Sequence, residues 1–173
     1  DRDIELVQDY TTDKATLLSA IESLQPGGQT ALYKGALEAV NKAAESPTPR
    51  RAVIVLSDGA EYGNISGVPR EAALEQAVIR GVPVYTIGVG YGFDRTYLEA
   101  ASGGTNARFA ESPTLDELVE IYGNLAATLR SQYIITINAD VPGDGTEYGL
   151  TVQVTAPDGA ASADTIVRMP IIV

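Results

Sequence analysis

Two aliphatic runs, AVIVLS at residues 52–57 and VPVYTIGVG at 82–90, flank a stretch with helical spacing, and that order leaves few folds open. Neither run alternates apolar with polar residues as a half-solvated antiparallel strand would. Near-continuous Val, Ile and Leu is the pattern of a parallel strand covered on both faces by helices. A strand, a helix and a second strand in this order therefore predict parallel strands in an α/β sheet.

The flanking segments extend the pattern. Ile4 to Tyr10 reads as a short, partly alternating strand. TTDK then offers helix-start chemistry, Thr12 as a cap and Asp13 for the positive end of the dipole, before Leu17, Leu18, Ile21 and Leu24. QPGG stops that helix. A second begins near Thr30, with Leu32, Ala36, Leu37, Val40 and Ala44 on one face, and SPTPR ends it. A third helix is predicted from about Pro69 to Arg80, closed by Gly81. Asp94 is placed to cap a short helix through Ala101, and SGGTN turns the chain into a brief strand at 108–110. Thr114 and Glu117 have capping-box spacing ahead of Leu115, Leu118, Ile121, Leu125 and Leu129. From Gln132 onward the helical period stops. YIITINA, EYGLTVQVTA and ADTIVRM read as strands separated by the turn-rich DVPGDG and PDGAAS. The expected organisation is an α/β domain over 1–131 and an all-β segment over 132–173.

Composition narrows the function. The formal net charge is -11, which opposes binding to nucleic acid, because phosphate neutralisation needs clustered Lys and Arg. The chain has no Cys and no His, so thiol chemistry, Cys-type zinc sites and Ser-His triads are excluded by inventory. No apolar run approaches the roughly 20 residues of a membrane-spanning helix.

The residues that remain are oxygen donors at strand and helix ends. Open α/β sheets bind ligands at the carboxyl ends of their strands, and the 52–57 run ends in Ser57, Asp58 and Gly59. PGGQT places Thr30 before a helix. An Asp carboxylate and a Thr hydroxyl are hard donors of the kind Mg²⁺ accepts with waters retained. Asp58 as a turn or helix cap and Thr30 as a plain N-cap are the competing structural readings. Glu61 lies near Asp58 but reads first as an exposed loop acid. Asn64-Ile65-Ser66 fits a glycosylation sequon.

Taken together, LVQDYTTDKATLLSAIESLQPGGQTALYKGALEAV, RRAVIVLSDGAE and GVPVYTIGVG resemble a von Willebrand factor type A domain of the bacterial kind, over about residues 3–131. The resemblance implies a Rossmann-like, mostly parallel sheet flanked by helices, with a metal-ion-dependent adhesion site at its top. At that site a carboxylate from a protein or peptide partner completes the coordination of Mg²⁺, Mn²⁺ or Ca²⁺. Thr30 and Asp58 match two of the family's metal positions, and Gly28, Gln29, Gly59 and Glu61 border them as partner-facing positions. The family's D-x-S-x-S strand has no match in this sequence. The family pattern places that strand, a helix and another strand ahead of Asp1, between the strand near Leu6 and the one at 52–57.

The resemblance thus implies a sheet incomplete at its N-terminal side, a fragment whose remainder is supplied separately or lost, and weak or absent metal binding in this chain alone. It also implies an extracytoplasmic or cell-surface bacterial setting, and a binding module with no catalytic residues. A metal-free assembly module is the alternative. An aspartyl-phosphate enzyme built on Asp58 is a further one, set back because SDGAEYGNIS offers no Lys.

Overall fold

The computed structural model describes residues 4–25, 27–48, 50–112, 114–131 and 140–169. The chain divides into two units, Asp1–Ile134 and Ile135–Val173.

In the first unit three parallel strands, β1 (Val53–Gly59), β2 (Val84–Gly92) and β3 (Phe109–Ser112), lie in that order. The helices are α1 (Lys14–Glu22), α2 (Leu32–Ala44), α3 (Ala72–Arg80), α4 (Arg95–Gly103) and α5 (Leu115–Arg130). α2 carries the helical period onto the core: Leu32, Ala36, Val40 and Ala43 are buried at spacings of four, four and three. Val40 packs with Val53, Val82, Val84 and Ala77, while Leu32 and Ala36 pack with Ala73, Tyr97 and Leu98. Each fully buried aliphatic side chain here contributes about 1.5–3 kcal/mol.

The punctuation follows the sequence closely. Gly81 closes α3 in the left-handed region, with φ 62 and ψ 41, where a side chain would be strained. Asp94 caps α4 by accepting the Tyr97 amide at 3.0 Å. Thr114 caps α5 by accepting the Glu117 amide at 3.3 Å. At α1 the cap moves by one residue from the expected Thr12: Asp13 accepts the Ala15 amide. α3 starts later than the expected Pro69.

Three expectations are overturned. Residues 4–10 form no strand: the apolar pattern is there, but a strand needs a neighbour to share its ladder, and among the described residues none lies alongside. The segment is instead tied to α2 by Tyr10, whose hydroxyl donates to the Lys42 carbonyl at 3.0 Å, and by Asp9, which pairs with Lys42 at 2.9 Å. Secondly, β1 is covered on one face only. Val53 and Ser57 are buried while Ile54 and Leu56 are 39% and 47% exposed, because no described layer lies over that face of β1. Thirdly, α2 is capped at Ala31, one residue past Thr30, and Ala31 offers no side-chain cap. α1 buries none of its residues, so Leu17, Leu18 and Ile21 stay exposed.

The second unit contains the antiparallel hairpin β4 (Glu147–Ala156) and β5 (Gly159–Arg168). The connection is only Pro157 and Asp158, with Ala156 opposite Gly159, so the expected turn over 157–162 is shorter and Gly159–Ser162 belong to the strand. The strand expected at 133–139 lies outside the described residues.

Candidate functional site

β1 delivers Asp58 to the carboxyl end of the sheet, and the strand pairing is disturbed there. Ser57 is opposite Gly88, but Gly59 is opposite Gly92, so β2 spends extra residues where β1 spends one. Such an irregularity bends the strand and re-aims the side chain beside it. Ser57 is buried, and its hydroxyl donates to the Gly59 carbonyl at 2.8 Å. Asp58 between them keeps its side chain exposed.

Thr30 approaches from the turn ahead of α2. A Cβ placed on Gly59 would lie 3.0 Å from Thr30 Oγ1, so the missing side chain at 59 is what lets the hydroxyl sit against the backbone next to Asp58. The Thr30 hydroxyl thus lies against the residue that follows Asp58, at the carboxyl end of β1. Among the described residues neither the Thr30 hydroxyl nor the Asp58 carboxylate takes a hydrogen bond or an ion pair. Gly28 and Gln29 are exposed in the preceding turn, and Gly59 is half-buried.

Glu61 corrects the sequence reading. It is no exposed loop acid but a half-buried one. Its carboxylate accepts the Tyr33 amide at 3.0 Å, the Ser66 amide at 2.8 Å and the Ser66 hydroxyl at 2.5 Å. Ser66 in turn accepts the Lys34 amide at 3.0 Å. The orphan amides that open any helix are served at α2 by Glu61 and Ser66, from the loop after β1. Burial pushes the Glu61 carboxyl up, and the bonds from Ser66, Tyr33 and Leu32 more than offset it, leaving the group below its usual range. The sequon-like Asn64-Ile65-Ser66 therefore has a structural use: its hydroxyl is buried in this network.

A second polar group flanks the first, and the sequence alone does not single it out. One Arg70 nitrogen donates to both oxygens of Asp94 at 2.9 Å, and the Tyr33 hydroxyl donates to Asp94 at 3.4 Å. The Tyr33 and Tyr97 rings lie 4.9 Å apart, with the Arg70 guanidinium 5.9 Å above Tyr97. Burial, then the Asp94 charge, raises the Tyr33 hydroxyl pKa. The Tyr97 hydroxyl is shifted up more strongly, chiefly by burial, and has no hydrogen-bond partner among the described residues. Asp94 is legible as a cap; nothing local in the sequence signals that Arg70 would meet it.

The donor set at the corner is one carboxylate and one hydroxyl. Among the described residues no three acids, His or Cys gather to hold a metal ion. Glu61 cannot join as it stands, since its oxygens are already engaged with α2 and Ser66.

A family model, the von Willebrand factor type A domain, matches residues 3–124, more than half of the chain. The chain belongs to the von Willebrand factor type A family. The irregular end of β1 and the Thr30 turn are thus parts of a von Willebrand A-type sheet, whose parallel order β1-β2-β3 is seen directly. Two solved structures of proximal thread matrix protein 1 from the mussel byssus are similar to it, at 26% and 28% identity with TM-scores of 0.58 and 0.54. Each match covers 70% of this chain and 30% of the mussel chain, so the von Willebrand A-type unit described here spans under a third of that relative. An uncharacterized membrane spanning protein from Vibrio fischeri is similar at 25% identity over 68% of this chain and 67% of its own, with a TM-score of 0.42. No curated protein sequence gives a significant match. Among the described residues no helix is long and apolar enough to cross a membrane.

Proposed function

We propose that this chain is a protein-binding module that recognises an acidic group of its partner through a divalent cation held at Thr30 and Asp58. Family membership supports the coarser part, since von Willebrand A-type domains generally mediate protein interactions. The observation that supports the finer part is the approach of Thr30 Oγ1 to Gly59, the residue after the exposed Asp58. Two hard oxygens suit a small cation that keeps most of its water. The cation would offer a replaceable position to a carboxylate of the partner. Gly28 and Gln29 would border that carboxylate from the turn. Glu61 would act one step back, holding the N-terminus of α2 and with it the Thr30 turn. With a donor set this small, affinity in this chain alone is weak. An extracytoplasmic setting suits the reading, and no catalytic step is assigned to any residue.

Isothermal titration with Mg²⁺ and with Mn²⁺, on the wild type and on Asp58→Ala, tests the metal. Weak binding that disappears in the variant is expected. Equal heats from both proteins, or none from either, would sink it.

A metal-free assembly module is the second reading, favoured by the small donor set and by the likeness to a byssal thread matrix protein. Under that reading partner capture is the same in EDTA as in Mg²⁺ and survives Asp58→Ala.

A further inference from the structure

The segment that leaves β2 for α4 is seated against the backbone of Asp58. A Cβ placed on Gly92 would lie 2.8 Å from the Asp58 carbonyl oxygen. The neighbour at that distance is backbone and cannot swing aside, so the absent side chain is what lets this segment touch the end of β1. Phe93 folds back over β2, its ring filling the space that a side chain on Gly88 would need. Asp94 follows, with its side chain only 20% exposed. Its carboxylate gathers donors from three segments. The Tyr97 amide of α4 reaches it at 3.0 Å, one Arg70 nitrogen lies 2.9 Å from each of its oxygens, and the Tyr33 hydroxyl of α2 lies at 3.4 Å.

We propose that Asp94, clamped by Arg70, is a positioning residue for Asp58: it fixes the segment whose Gly92 bears on the Asp58 carbonyl. Capping α4 needs only the bond to the Tyr97 amide. The contacts from Arg70 and Tyr33 go beyond that, and both reach out of α4 to other elements. Arg70 is a planar, permanently charged donor, and its guanidinium also stands over the Tyr97 ring at 5.9 Å, so its orientation is defined from two sides. The constraint acts over two residues, from Asp94 back to Gly92, and the Phe93 ring on Gly88 stiffens that short span. Tyr33 closes the circuit on the other side. Its amide is held by Glu61 and its hydroxyl by Asp94, and it stands three residues after Thr30. One carboxylate therefore ties the segment touching Asp58 to the first turn of α2 behind Thr30. Removing a group one step behind the ligands of a metal typically costs about 10–100-fold in affinity. That effect rests on a cation held at Thr30 and Asp58, as proposed above; the placement of the Asp58 backbone does not.

Backbone NMR of the full chain tests it with three variants. Asp94→Asn keeps an acceptor for the Tyr97 amide and removes the charge that holds Arg70. Arg70→Ala removes the clamp and leaves Asp94 in place. Arg95→Ala is the control: it sits one residue further on and pairs with Glu99 and Glu111. In the metal-free chain the Asp58 and Gly59 amide resonances are expected to move in Asp94→Asn and Arg70→Ala, to stay in Arg95→Ala, and to return part of the way in Arg70→Lys. Broadening of the same resonances by Mn²⁺ should need about tenfold more metal in the first two variants than in wild type. Resonances that stay in all the variants overturn the proposal. So do shifts that follow the loss of melting temperature in Arg95→Ala as well, which would mark a general loosening of the fold. Absence of Mn²⁺ broadening in wild type would overturn the cation at Thr30 and Asp58, while the metal-free resonances still decide the role of Asp94.

Discussion

The Glu61 carboxylate accepts the backbone amide of Tyr33 at 3.0 Å across 28 residues of chain. A loop acid following β1 thus caps the helix that precedes it. The bond ties the two segments carrying Thr30 and Asp58, so stability of α2 and geometry of the candidate site rest on the same carboxylate.

Glu61→Ala leaves the Tyr33 amide and the Ser66 hydroxyl without their acceptor, half-buried. Loss of about 1–3 kcal/mol is expected. Glu61→Gln keeps one acceptor oxygen, but its NH₂ group faces a donor that the other oxygen accepted and the charge at the helix N-terminus is gone, so it should cost about 1 kcal/mol or more, still less than alanine. Urea denaturation checks the order: wild type above Gln above Ala. Equal midpoints for all three would show that α2 draws nothing from this contact.

The same carboxylate predicts an acid response. Its pKa is lowered in the folded chain, because the bonds from Ser66, Tyr33 and Leu32 outweigh burial. The unfolded state therefore binds the proton first as pH falls. The contribution is fully present above the ordinary Glu range, near about 4.3, and is lost as pH falls through the lowered folded value. Exposed Asp9 and Asp13 share that sign, through Lys42 and Thr16 respectively. Denaturation midpoints measured from pH 6 down to about pH 3 should fall less steeply in Glu61→Gln than in wild type. Parallel curves would remove Glu61 as a source of acid sensitivity.

What the sequence discloses divides by range. Gly81, Asp94 and Thr114 act on amides and carbonyls within a few residues, so their caps can be read from spacing. Thr30 and Asp58 stand out because each lies in a short, distinctive turn, PGGQT and LSDG. Their approach is seen at Gly59. Glu61 escapes a sequence reading because its partners are set by how the β1 loop folds back on α2, which no local pattern encodes. The coverage of β1 escapes it for a related reason. An aliphatic run reports what a strand is suited to bury, while Ile54 and Leu56 stay exposed because no described layer lies over them.

Tyr97 offers a test with an unusual sign. Its hydroxyl is buried and has no partner among the described residues, and a buried unsatisfied hydroxyl costs about 1–3 kcal/mol. Tyr97→Phe keeps the ring against Tyr33 and removes that cost, so thermal stability should stay level or rise. Tyr33→Phe removes a long bond to Asp94, 3.4 Å, and should cost under about 1 kcal/mol. A drop in melting temperature for Tyr97→Phe exceeding that of Tyr33→Phe would mean that the Tyr97 hydroxyl does have a partner.

Gly59→Ala and Thr30→Ala together test the corner where the cation is proposed. Gly59 does not have a positive φ, so alanine there brings no left-handed strain and the added methyl acts by contact alone. That methyl would meet Thr30 Oγ1 at 3.0 Å and Thr30 Cβ at 3.9 Å. The first contact is tight and the second ordinary. Gly59→Ala therefore makes the Thr30 hydroxyl give by a few tenths of an ångström, and because no described hydrogen bond holds that hydroxyl, the cost should stay at or below about 1 kcal/mol, the low end of overpacking. Thr30→Ala alone should change stability little, since the hydroxyl caps nothing. In the double variant the offending oxygen is gone, and the methyl at 59 fits against the remaining Cβ at 30 without displacement. The double variant should be more stable than Gly59→Ala, with a coupling of about 0.5–1 kcal/mol read from urea midpoints. Additive losses would show that Thr30 does not lie against Gly59, and would separate Thr30 from the Asp58 corner.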